Sequence, residues 1–136
     1  MGKIFKITSN SEVMLMPLSD LADKLTILRI KKGYKNSEEI NNELQEINKS
    51  LEEYSKKGIE IDSVLIDKLA LVNRELWDLV SELAEANKNE GKLEVIGRIY
   101  IKQHIANKKR IAIKNQIVRD TGIGFKDISV NYLSKK

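Results

Sequence analysis

A chain of 136 residues with no cysteine, one histidine and a net charge of +4 can bury a core of its own without staples. The missing cysteines exclude disulfide frameworks, thiol catalysis and cysteine-ligated zinc, and the lone His104 excludes a histidine-rich metal site. No window approaches the ~18 apolar residues of a membrane span and no hydrophobic signal core opens the chain, so the expectation is a cytoplasmic protein without cofactor or metal. If viral, it would work in the host cytoplasm.

Charge is unevenly spread. Residues 92–119 hold eight Lys/Arg against one Glu, and residues 37–90 hold fourteen Asp/Glu against six Lys/Arg. Attraction between helices of one chain or of two chains accounts for this split, and a phosphorylated partner on the basic helix is the functional alternative.

Two short β-branched or apolar runs, residues 3–8 and 12–16, flank the polar turn Ser9-Asn10-Ser11 and predict a hairpin that Pro17 stops. Ser19 is the predicted N-cap of a first helix in which Leu21, Leu25 and Leu28 share a face and Gly33 is the terminator. Asn36 with Glu39 starts a second helix, where Ile40, Leu44, Ile47, Leu51 and Tyr54 recur in steps of four and three until Lys57 and Gly58. After Asp62 and Ser63 a third helix repeats the pattern with Leu65, Leu69, Val72, Leu76, Leu79 and Leu83, which makes it the expected core helix. The polar break at residues 87–91 is too short for a domain linker, so one domain with antiparallel helix pairs follows. Residues 92–119 form the fourth helix and 128–133 a short strand. The fold expected is a mainly α bundle of about four helices, with a small sheet built from both chain ends. Seams on the second and third helices exceed what one partner covers, which predicts a homo-oligomer, most simply a dimer.

Four segments, DKLTILRIK at 23–31, NRELW at 73–77, RIY at 98–100 and NKKRIAIKNQI at 107–117, resemble an uncharacterised family of short helical proteins of bacteria and bacteriophages. The resemblance implies the helical architecture and no particular chemistry. Lys108 stands where that family carries an acidic residue, and Asp78-Leu79 where it carries an acidic pair, which weakens any carboxylate-dependent role. Segment order and the basic last helix are also similar in kind to phage anti-Thoeris sponge proteins, oligomers that sequester cyclic ADP-ribose signals. That likeness implies Arg and aromatic side chains holding a pyrophosphate-bearing ligand between protomers.

The candidate ligand residues follow from the fourth helix. Gln103, Asn107, Arg110 and Lys114 stack on one stripe beside the apolar stripe Val95, Ile99, Ala106, Ile113 and Ile117, with Tyr100 on its flank. Arg110 offers a planar fork and Lys114 a point charge to a diphosphate, while Asn107 and Gln103 suit ribose hydroxyls. A salt-bridged or solvated face is the ordinary alternative. Asn73 and Trp77 share a face of the third helix, where tryptophan is first a core filler and its exposed edge a stacking surface for a base. Lys24 is a further ligand candidate, and its neighbour Asp23 is expected to fix a basic residue of the last helix. His104 lacks an activating partner at helical spacing, and no phosphate loop or dinucleotide fingerprint occurs, so no catalytic or metal residues are expected.

The function expected is non-catalytic sequestration of a small phosphorylated nucleotide of the cyclic ADP-ribose or cyclic oligonucleotide type, as a phage anti-defence protein. A helical enzyme of chorismate-mutase type is the first alternative, since that fold also clamps anions with Arg and Lys. Nucleic-acid binding, or a structural interaction role, is the second: Lys102, Lys108, Lys109, Arg110, Lys114 and Arg119 could meet phosphates, but they surround the helix instead of lining one side.

Overall fold

Pro17 sets where the helical body begins. Its carbonyl accepts from the amides of Asp20 and Leu21, and helix α1, Leu18–Tyr34, starts directly after it. In the computed structural model, which describes residues 5–6, 13–14 and 16–126, three more helices follow: α2 Glu38–Lys56, α3 Ser63–Lys88 and α4 Leu93–Thr121. Ser19 is a buried first-turn residue of α1, not its cap, and Gly33 lies inside the helix. Ser37 caps α2 by accepting from the Ile40 amide at 3.2 Å. Asp62 does the same for α3 through Val64 at 2.9 Å, and Gly122 ends α4 in the left-handed conformation at φ 72°.

The sheet expected from both chain ends is not found among the described residues. Phe5–Lys6 pairs antiparallel with Val13–Met14, a contact local to the N-terminal runs and too short to form a sheet with an apolar face. Residues 128–133 lie outside the described residues.

The helices form three layers. α3 and α4 make a long antiparallel hairpin, α1 lies against both, and among the described helices α2 packs on α1 alone. The hairpin turn depends on Gly91, whose amide donates to the Ala86 carbonyl at 2.6 Å. A Cβ there would sit 2.7 Å from that same oxygen, so no larger residue fits without moving the turn. On the far side, Tyr54 of α2 donates its hydroxyl to the Met16 carbonyl at 2.8 Å, tying α2 to the entry of α1.

α1, not α3, is the central helix. Eight of its 17 residues are buried, against four of 26 in α3, because it is covered on two sides while α3 is covered chiefly on one. Leu18, Leu21, Leu25 and Leu28 meet Ile47 and Tyr54 of α2, Leu69, Val72 and Leu79 of α3, and Ile99, Ala106 and Ile117 of α4 in one core. Leu76 and Leu83 of the α3 seam are only partly buried against it.

Leu69 is fully buried while Leu71, on the same helix, is 74% exposed. Leu69→Ala should therefore cost about 2–5 kcal/mol in urea unfolding through the cavity it leaves, and Leu71→Ala within about 0.5 kcal/mol. Equal losses would mean that α3 packs through a different face.

Candidate functional site

α1 is leucine-rich yet carries Asp20, Asp23 and Thr26 at successive turns, a polar stripe on the side that meets α3 and α4. The Arg110 guanidinium of α4 grips Asp23 with two donors, Nε to Oδ1 at 2.9 Å and Nη2 to Oδ2. Asn73 of α3 completes the cluster, its amide donating to Asp23 Oδ1 at 2.9 Å and Thr26 Oγ1 at 2.8 Å. Thr26 in turn donates to the Asp23 carbonyl. One turn away Lys114 meets Asp20 at 3.1 Å. Asp23 thus fixes a basic residue of the last helix, and three helices are joined through one carboxylate.

Asp23 titrates below the usual carboxylate value. Burial by itself pushes the carboxyl up, but hydrogen bonds from Arg110 and Asn73 and the charges of Arg110 and Lys114 outweigh it. The side chain of Arg110 is 27% exposed and that of Asp23 10%, so this is a half-sheltered pair whose fork is already used. An incoming phosphate would have to displace the carboxylate from Nε and Nη2. The remaining nitrogen, Nη1, donates to Asn107 Oδ1 at 3.1 Å.

Beyond this lock the surface opens. Tyr34, the last residue of α1, stacks on Trp77 with ring centroids 5.6 Å apart, and the Arg74 guanidinium lies over the Tyr34 ring at 5.5 Å. α3 and α4 continue past that point for roughly 17 Å as a two-helix arm. The exposed Lys109–Glu75 pair, at 4.0 Å, marks the antiparallel register. Trp77 therefore lies level with Asn107, Val80 with His104, and Ala84 with Tyr100. With α1 gone, Val80 and Tyr100 are 58% and 55% exposed. Gln103 and Trp77 are half-buried and Asn107 exposed.

The expected ligand residues therefore divide. Arg110, Asn73 and Lys114 belong to the closed lock, whereas Trp77, Tyr100, Gln103 and Asn107 line the open stretch beside it. Lys24 does neither: it faces α2 and pairs with Glu43 at 3.3 Å. Sequence reasoning missed Asp20 and Thr26, although polar residues at three-residue steps inside a leucine-rich helix were the available signal. It also missed Tyr34, whose contact with Trp77 joins residues 43 positions apart in the chain. The uneven charge is partly internal, since the basic α4 pairs with α1 and α3 through Arg110, Lys114 and Lys109. The acidic α2 meets Lys24 instead. No described helix is long and apolar enough to cross a membrane. In comparisons with known proteins, no family model, curated protein or solved structure matches the chain.

Arg110→Ala should destabilise the protein by about 1–3 kcal/mol, because it strands a buried carboxylate, with partial exposure limiting the loss. The lock also has a pH signature. Asp23 has a lower pKa folded than its unfolded value of about 3.9, so between the two the unfolded chain binds more protons and stability rises with pH. Its contribution should be complete above about pH 5 and drain away as pH falls through the folded value. Urea midpoints of Asp23→Asn should lack that acid limb; an unchanged limb would assign it to other carboxylates.

Proposed function

We propose that the protein is a non-catalytic binding module whose recognition surface is the part of the α3–α4 hairpin left uncovered beyond the end of α1. The observation that carries this is the change along one face. Under α1 its polar groups are consumed by Asp23, Asn73 and Arg110. Past Tyr34 the same face presents exposed Val80, Tyr100 and Asn107 with half-buried Trp77 and Gln103. A rigid closed end beside an open amphipathic stretch is the arrangement of a docking surface held by a scaffold.

For a small ligand, the chemistry fits a phosphorylated nucleotide of the cyclic ADP-ribose or cyclic oligonucleotide type. A base can stack on Trp77 or Tyr100, the amides of Asn107 and Gln103 suit ribose hydroxyls, and an anion at Arg110 Nη1 would take the place of Asn107 Oδ1. Sequestration of such a signal agrees with the likeness in kind to anti-defence sponges. The resemblance to the short helical family of bacteria and bacteriophages agrees with the architecture.

Trp77 is the only tryptophan, so its fluorescence reports this surface directly. Titration with cyclic ADP-ribose isomers and cyclic oligonucleotides should quench it and raise the melting temperature, by about 2.7 kcal/mol of added stability at a hundredfold excess over Kd. Asn107→Ala should weaken both effects with at most a small change in the ligand-free melt, since its bond to Arg110 is exposed. Silence in both readouts across these ligands would remove the nucleotide assignment.

A further inference from the structure

The last turn of α1 stands in solvent. Lys31 to Asn36 are exposed, and a Cβ built on Gly33 meets nothing within 4 Å. Tyr34 joins this turn to the hairpin. Its ring stacks on Trp77 with the two planes 24° apart, and its hydroxyl accepts from Arg74 Nη2 at 3.1 Å. The two rings are held very differently. Trp77 is half-buried near the middle of α3, one turn beyond Asn73, which donates to Asp23 in the lock. Tyr34 is 61% exposed at the final helical position, and the backbone turns extended at Lys35 directly after it. The residue before it is glycine, which gives up the most backbone freedom in a helix. The stack is therefore a fixed indole floor beneath a phenol ring that lifts when one terminal turn frays.

We infer that Tyr34 is the movable wall of a slot for a planar ring, and that a purine base enters between it and Trp77. This rests on reading the open end of the hairpin as a nucleotide surface, and it names where the base goes. Insertion exchanges one aromatic stack for two, so the opened slot gains contact. The bicyclic indole floor overlaps a bicyclic purine more fully than a single pyrimidine ring. Polar groups stand beside the slot as well. Arg74 lies over the Tyr34 ring, and lifting that ring releases its Nη2 from the hydroxyl. Its Nε stays 3.5 Å from Asp78 Oδ1, so the pair offers a donor beside an acceptor. The Watson–Crick edge of a base likewise sets an acceptor beside a donor, and bases held between aromatic rings are read on that edge.

The test is titration of the full chain with guanosine, guanosine 5′-monophosphate and ribose 5-phosphate, followed by calorimetry and by Trp77 fluorescence. Wild-type protein should bind both guanine compounds and lose Trp77 emission as the base covers the indole. Tyr34→Leu removes the stacking wall at an exposed position, so helical circular dichroism should be unchanged. Its affinity for both compounds should fall by about tenfold or more. Tyr34→Phe keeps the ring and drops the hydroxyl, and should bind at least as tightly as wild type. A merely structural contact would not separate Leu from Phe in affinity at equal circular dichroism. Equal affinity of wild type and Tyr34→Leu overturns the inference, as does a wild-type protein that binds neither guanine compound at millimolar concentration. If guanosine 5′-monophosphate binds wild type and Tyr34→Leu alike, the slot is lost and the nucleotide surface stands. If guanosine binds as tightly as its monophosphate and ribose 5-phosphate does not bind, the slot stands and the phosphate part of the nucleotide reading is lost.

Discussion

The fold depends on how one carboxylate is satisfied. Asp23 sits in a leucine-rich helix at the point where three helices meet. Its oxygens are taken by the Arg110 fork and the Asn73 amide, and Lys114 with Asp20 adds a second ion pair one turn away. Leucine packing gives adhesion but little register, since one leucine replaces another at small cost. A bidentate guanidinium–carboxylate contact has one geometry, so it fixes how far α1 slides and rotates against the hairpin. Conformational specificity of this kind is the best-supported use of a sheltered ion pair, whose net stabilisation is modest once desolvation is counted.

Around that lock the helices divide the work. α1 buries its leucines and ends at Tyr34, an exposed residue stacked on Trp77. α2 covers the back of α1 and touches neither member of the hairpin. The hairpin supplies the floor under α1, and its outer half supplies a surface. Among the described residues that half is held by the α3–α4 contact, through Leu79, Leu83, Ile99 and Ala106, and Val80, Leu93, Tyr100 and Ile101 are exposed.

The candidate site joins two chemistries that a linear reading merges. Gln103, Asn107, Arg110 and Lys114 form one stripe on α4, but α1 stops partway along it. The residues under α1 are bonded into the lock, and those past its end are exposed or half-buried. Identical spacing therefore carries different roles, decided by whether another helix lies above.

The sequence by itself determined the helices, the short links between them, the apolar faces of α2 and α3, and a polar stripe on α4. These follow from periodicity and caps that act within a few residues. It also held the pairing of Asp23 with a basic residue of the last helix, as a charge in need of a partner, without showing that the partner was Arg110. Only the tertiary structure decided that α1 is the hub, because burial on two sides erases the amphipathic pattern that announces a surface helix. It alone turned Lys24 toward Glu43 on α2 and placed Tyr34 against Trp77. It alone left Tyr100 exposed. Each of these depends on where a helix distant in the chain begins or ends, and local spacing holds no record of that.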